Sequence, residues 1–400
     1  MKTACCLMLC LLGSGLVGSP ARAEITLLGE AQIAGESLDR SELTGEFDNG
    51  IPFNRLGGIS AIEHVAGEEY ILLSDRGPND GAVPYATRFH LATIQIPADG
   101  SKPTVKLTAT HLLTKGSGQP LIGAASAFQK GEDHPGRLDP EGCRLVRRPG
   151  LEALLAISDE YGPRVDLFDM TGQRVQKLMI PGKFKIDAPS GNATAEARDN
   201  TQGRQPNGGF EGLAISPDGK MLYAIMQKPL LQDCVIESDQ VIGQLNRILR
   251  IDLESGDTSE FVYPLESLKS GVSEILCVNE RQALVLERDG GAGDKAVVKR
   301  CVRIDFEGAT DVSEIKSLPT ELDDLPSEIR PVTKRPFLDL LEPRFGIAGV
   351  NAPAKFEGLT FGPDLADGRK TLLVAVDNDF VKEHPIRIYV FAMSADEFTK

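Results

Sequence analysis

The sequence predicts an all-β protein, a β-propeller of four-stranded blades, and three observations predict it. An apolar strand that exits into acids, and often Gly-Pro, recurs along the chain. A short strand opening on Glu-Gly or a variant precedes each copy, and a third strand follows it. Repetition of one antiparallel unit at this scale is the mark of radial architecture.

The exits come first. "YILLSDRGPNDG" (70–81) returns as "ALLAISDEYGP" (153–163), "ALVLERDGG" (283–291) and "TLLVAVDNDF" (371–380), with a weaker copy, "MLYAIMQKP" (221–229). Upstream stand the openings "LGGISAI" (56–62), "PEGCRL" (140–145), "FEGLAIS" (210–216), "SEILCV" (273–278) and "FEGLTFG" (356–362). Hairpin turns such as "SPDGK" join each opening to its exit strand. The third strands are "TRFHLATIQI" (87–96), "RVDLFDM" (164–170), "NRILRIDL" (246–253), "VVKRCVRIDF" (297–306) and "IRIYVFAM" (386–393).

A fourth strand follows as "RVQKLMI" (174–180) and "TSEFVYPL" (258–265); in the fourth unit it is either "VSEIKSL" (312–318) or "RPVTKRPFLDL" (330–340). The last unit lacks an outer strand, and "ITLLGEAQI" (25–33) is free to supply it and close the ring. Five blades are counted, and residues 307–350 leave room for a sixth. Five matching openings speak against a β-sandwich with chance similarity.

The bulk numbers agree with a globular chain: 400 residues, 41% hydrophobic and 25% charged, with 41 Gly and 25 Pro. The start, "MKTACCLMLCLLGSGLVGSPARA", has a Lys, a short apolar core and an Ala-Arg-Ala end. It reads as a secretory signal (1–23) cleaved after Ala23, leaving one propeller domain (24–400) that is secreted or periplasmic and has no membrane segment. The formal net charge of −15 argues against nucleic-acid or anionic-lipid partners and suits bound cations. Once Cys5, Cys6 and Cys10 leave with the signal, Cys143, Cys234, Cys277 and Cys301 remain. Their spacing fits no zinc motif, and buried free thiols are expected. His64, His90, His111, His134 and His384 are scattered, and the sequence holds neither a Gly-x-Ser-x-Gly elbow nor a His-Glu-x-x-His helix.

In a propeller the start of the first strand and the end of the second lie at one face. The expected rim therefore gathers Asp75, Arg76, Glu141, Asp159, Glu160, Glu211, Glu274, Glu287, Arg288, Glu357, Asp377, Asn378 and Asp379 around one channel mouth. Hard oxygen ligands in such number attract Ca²⁺, and the expected ligands are Glu141, Asp159, Glu211, Glu357 and Asp377. Asp75, Arg76, Glu160 and Arg288 are expected to contact the substrate, since metal and Arg together suit a phosphate group. Lys228 joins Arg76 and Arg288 as a cation at a matching exit. The polar insertions 115–138 and 182–208 emerge near this face, and either is placed to cap the pocket.

The order "SDRGPN", "DPEGCRL", "SDEYGP", "FEGLAISPDGKMLYAIMQKPLLQD", "RILRIDLESG", "LVLERDGG" and "FEGLTF…VDND" resembles the phytase-like family of exported bacterial proteins, also described by esterase-like activity of phytase. The resemblance runs from about Ile25 to Met393; one departure is Met226-Gln227, where an acid is commoner. It implies a propeller and hydrolysis of phosphate or other esters. The expected function is thus Ca²⁺-assisted hydrolysis of phosphomonoesters such as inositol phosphates. The alternatives are a metal-dependent carboxylic ester or lactone hydrolase, and a non-catalytic propeller that binds a ligand or partner.

Overall fold

A computed structural model describes residues 25–130, 136–237 and 240–398. The signal segment with its cleavage site, Cys5, Cys6, Cys10 and His134 lie outside the described residues. Strand β1 (Thr26–Ile33) opens the chain. The first blade is β2 (Ile59–Ala66), β3 (Glu69–Ser74), β4 (Arg88–Gln95) and β5 (Thr104–Leu112). The second is β6 (Pro140–Val146), β7 (Leu154–Asp159), β8 (Arg164–Phe168) and β9 (Arg174–Lys177). The third starts with β10 (Phe210–Ile215) and β11 (Met221–Met226). A separate hairpin, β12 (Val235–Glu237) and β13 (Gln240–Ile242), intervenes before β14 (Leu245–Asp252) and β15 (Thr258–Pro264) complete the blade. The fourth is β16 (Gly271–Cys277), β17 (Gln282–Arg288), β18 (Lys299–Asp305) and β19 (Thr333–Asp339). Last come β20 (Lys355–Phe361), β21 (Lys370–Asp377) and β22 (Ile386–Met393).

All five blades are antiparallel, four-stranded sheets. β1 completes the last one by pairing with β22, Ile33 opposite Ile386 and Thr26 opposite Ala392. The expected closure is present, and it removes two exposed sheet edges at once. The outer strand of the fourth blade is Thr333–Asp339, the second of the two expected segments. No sixth blade forms among the described residues. Instead, 312–329 wraps the third blade, where Val312 and Leu318 pack on Leu245 and Val262.

Alternating apolar residues give each sheet two buried faces, so the core divides into five clusters, one at each blade interface. Tyr70 and Leu72 of the first blade meet Leu373 and Ala375 of the fifth, and Leu73 and Phe89 meet Leu145 and Ile157 of the second. Phe210 and Leu222 pack against Ala156 and Leu167, Val272 and Val285 against Tyr223 and Ile225, and Phe356 and Leu372 against Leu284 and Leu286. A fully buried Leu or Phe contributes roughly 1.5–3 kcal/mol, and every interface holds several. Cys143, Cys234, Cys277 and Cys301 are free thiols, three of them buried. His90 is also buried, between the hydroxyls of Ser74 and Thr110, and burial pushes it down to about 3, so it is a neutral core residue.

Candidate functional site

Every innermost strand carries a β-bulge near its start. Register slips between Ile59 and Ala61, Pro140 and Cys143, Phe210 and Gly212, Val272 and Glu274, and Phe356 and Gly358. A bulge re-aims a side chain, and here it turns Ser60, Glu141, Glu211, Ser273 and Glu357 into one central cavity of about 440 Å³. The second residue of the Glu-Gly opening serves packing. A Cβ on Gly142 would come 2.7 Å from the Leu213 nitrogen, and one on Gly212 would come 2.6 Å from the Glu274 Cα. Glycine therefore lets neighbouring inner strands approach while the preceding glutamate points inward.

This register corrects one expectation. Ser273, not Glu274, is the counterpart of Glu211 and Glu357, so the fourth blade offers the cavity a hydroxyl. Glu274 turns instead to the channel centre, where it pairs with Arg144 at 2.9 Å and accepts hydrogen bonds from the Leu213 and Ile275 amides. Glu287 likewise departs from the rim, held by Tyr263, Arg300 and Lys334 on the outer side of its blade.

At the strand exits Asp75, Gln227, Arg288 and Asp377 line the cavity, with Arg76 beside Asp75. Asp159 occupies the matching position in the second blade but does not join them. Its carboxylate accepts from the Asp139 and Tyr161 amides and pairs with Arg164, so it is committed to the loop behind. Glu160 also stands outside the lining, 3.2 Å from Arg76, and holds that guanidinium from behind. Asn378 accepts from the Gly58 amide, and Asp379 pairs with Lys355.

Of the cations that line the cavity, Arg288, Lys355 and Arg76 are each gripped by carboxylates. Arg288 meets Glu357 at 2.6 Å and the Ser273 hydroxyl at 2.8 Å. Lys355 meets Asp377 at 3.0 Å as well as Asp379. Arg76 lies 2.5 Å from Asp139, 2.5 Å from Asp80 and against the Asn207 side-chain oxygen. Asn207 comes from the 182–208 insertion, which does contribute to the pocket wall. Surrounding carboxylates hold both guanidinium groups and the Lys355 ammonium firmly in their charged forms, against the effect of burial.

Asp75, Glu141 and Glu211 form no ion pair among the described residues. Asp75 accepts one hydrogen bond, from the Gly77 amide at 2.8 Å. Glu211 accepts from the Gln227 amide group at 2.6 Å through Oε1, and its buried Oε2 has no partner. Burial first, and then neighbouring carboxylates, push all three well above the ordinary carboxylate range; the strongest such neighbour is Asp377 for Asp75, Glu211 for Glu141 and Glu160 for Glu211. Glu160 rises to about 7, chiefly by burial and the charge of Asp139. Oxygens of Asp139, Glu141 and Glu160 lie within 4.8 Å of one another. Asp139 and Lys355 were not expected at the site, although each stands one or two residues before a Glu-Gly opening, directly across from an exit strand.

Among curated proteins, the chain is 29% identical over 259 residues to an uncharacterized secreted protein of Arthroderma benhamiae, covering 51% of this chain and 49% of that one. The chain thus spans about half the length of the curated relative it matches. Among solved structures, a protein of unknown function from Dyadobacter fermentans overlaps 92% of this chain and 99% of its own at 10% identity and a TM-score of 0.40. The Kuenenia stuttgartiensis hydrazine synthase overlaps 84% and 79% at 12% identity and a TM-score of 0.34. Overlaps this loose carry no argument about activity. The family comparison is closer: the model described as phytase-like, esterase-like activity of phytase, matches residues 54–380, from the loop before β2 to the exit of β21. That span takes in all five inner strands and every cavity-lining position discussed above, and the chain belongs to the phytase-like family.

Proposed function

We propose that the chain is an exported, Ca²⁺-assisted hydrolase of phosphate monoesters, acting in the central cavity. The observation that carries this reading is a trio of cavity-lining carboxylates with no ion pair among the described residues, Asp75, Glu141 and Glu211, set beside the firmly protonated Arg76, Arg288 and Lys355. An all-oxygen donor set with an orphaned Glu211 Oε2 fits a hard divalent cation, and Glu141 and Glu211 would hold it. Held there, Ca²⁺ would supply positive charge to offset that of the substrate and polarise a water molecule. Glu357 and Asp377, also expected as ligands, are engaged by Arg288 and Lys355 and act mainly to fix those cations. The raised proton affinity of Asp75 suits it to accept a proton from the attacking water. Arg288 and Arg76 stabilise charge that develops on the phosphoryl oxygens, and Glu160 positions Arg76.

The cavity wall bears on substrate class. It presents Asp75, Asp80, Glu141, Glu211, Asp289, Glu357 and Asp377 against Arg76, Lys228, Lys269, Arg288 and Lys355. Acids outnumber bases, which suits a singly phosphorylated ester better than a densely phosphorylated inositol. The same balance favours, as a second reading, a carboxylic ester or lactone polarised by the same cation. The signal-like start and the similarity to a secreted Arthroderma protein support export.

The test is turnover of metal-stripped and Ca²⁺-restored protein on a panel of phosphate and carboxylic esters. Activity on phosphate monoesters that returns with Ca²⁺ is expected. Arg288→Ala should then lower kcat by about 10²–10³ while Ca²⁺ affinity stays the same or rises, because a nearby positive charge is lost. Activity confined to carboxylic esters would select the second reading. No turnover on any ester would leave a binding propeller.

A further inference from the structure

The cavity is polar on its floor and apolar along one lip. Between β11 and β14 the chain leaves the blade to form the β12–β13 hairpin, which pairs with no other sheet. Ile236 stands directly opposite Val241 across this hairpin, so the two side chains share a face. Val241 lines the cavity, which identifies that face as the inner one. Ile236 is 74% exposed and Val241 37%, and Leu268, from the loop after β15, lines the same cavity and is 56% exposed. Buried Leu265 backs them. Aliphatic side chains left in water beside a charged cavity need a reason, since neither hairpin packing nor the blade core uses them. Much of the remaining wall is polar and includes Arg76, Asp80 and Asn207.

We infer that the substrate is amphiphilic: its ester group sits over the carboxylate floor, and its non-reacting part is an aliphatic or aromatic group lying on Ile236, Val241 and Leu268. This rests on the ester-hydrolase reading and names its substrate class. A polyol with several phosphates would leave the lip wet and unused. An alkyl or aryl monoester covers it while bringing only one charged head to a cavity in which acids outnumber bases. Removing apolar area from water on both sides strengthens binding by up to about fourfold per methylene that reaches the lip.

The experiment measures dissociation constants of methyl, butyl and octyl phosphate by calorimetry in Ca²⁺, below micelle-forming concentrations, alongside release of inorganic phosphate from the same three monoesters. Affinity should climb steeply from methyl to butyl and level off once the chain outruns the lip. In a Val241→Ser/Leu268→Ser double variant the series should flatten, with methyl phosphate affinity and the Ca²⁺-induced rise in melting temperature retained. That retained rise also shows that the variant is folded. A wild-type series with no dependence on chain length, including no binding at any length, overturns the inference, whether or not esters are hydrolysed. A steep series without turnover leaves the amphiphile site standing and removes hydrolysis instead.

Discussion

At the centre of the channel Glu63 and Glu274 share the Arg144 guanidinium, whereas at its mouth Asp75, Glu141 and Glu211 have no cation of their own. The central network links all five blades. Arg144 of the second blade donates to the Ile275 and Leu359 carbonyls at 3.0 and 3.1 Å, Glu274 takes the Leu213 amide, and Glu63 takes the Leu145 amide. Burial pushes Glu63 and Glu274 up, and Arg144 draws both back. The two groups of carboxylates thus differ in whether the fold sets a cation against them. The paired group plugs the channel and turns the cavity into a cup. The unpaired group is costly to the empty protein, and a bound cation would remove that cost.

The largest effect that could break this contrast comes from the plug. Replacing Arg144 by Met takes from two buried carboxylates the guanidinium they share, and such losses cost about 3–5 kcal/mol. Chemical denaturation of Arg144→Met should show a loss of that size. Glu211→Gln at the mouth, measured in chelator, should be neutral or stabilising, because it removes an uncompensated charge. Equal losses at both places would mean that the two groups are compensated alike.

Next in size is the response to metal. Free Ca²⁺ at a hundred times its dissociation constant should stabilise the folded chain by about 2.7 kcal/mol. Glu141→Gln and Glu211→Gln should each abolish most of that gain, while Glu274→Gln should leave the increment intact on a less stable background. Identical melting temperatures in chelator and in excess Ca²⁺ would count against a cation at the mouth.

Much of this contrast was legible in the sequence, though unevenly. Alternating apolar strands and repeated exits announced five blades, and the orphan strand before Ile33 announced their closure. Glu141, Glu211 and Glu357 stood out because each precedes a glycine that inner-strand packing requires. Ser60 and Ser273 did not, since hydrophobic periodicity reports the face of a strand but not a bulge, and one inserted residue exchanges inside for outside. For that reason Glu274 read as a rim acid when it belongs to the plug. Asp159 misled for another reason: the Ser-Asp exit is shared with Asp75, but Arg164 and the Asp139 amide, set by the following loop, draw its carboxylate away. Which acids would find cations was beyond sequence reading altogether, because Arg76–Asp139 and Arg288–Glu357 are contacts between blades.

The smallest expected effect is on pH dependence, where mouth and plug carboxylates share one sign, since Glu63 and Glu274 are raised as well. Asp75, Glu141 and Glu211 are raised, and Glu160 moves from 4.5 to about 7. A carboxyl raised on folding binds its proton more tightly in the native state. Its contribution to stability is therefore complete below the unfolded value and is lost as pH rises through the folded one. Lowered carboxylates such as Asp289, held near 2 by Lys299 and backbone amides against a desolvation cost, act in the opposite sense, but their window lies at more acidic pH. Between about pH 5 and pH 8 in chelator, stability should thus fall, by on the order of 1–2 kcal/mol. Ca²⁺ competes with those protons, so its stabilising increment should widen as pH rises across the same range. Glu211→Gln should flatten the chelator curve, since an amide does not titrate, and should narrow the difference between chelator and Ca²⁺ at pH 8. A chelator curve that rises from pH 5 to pH 8, with no growth in the Ca²⁺ increment, would show that the mouth carboxylates are ionised and compensated in the empty protein, and the contrast with the plug would be lost.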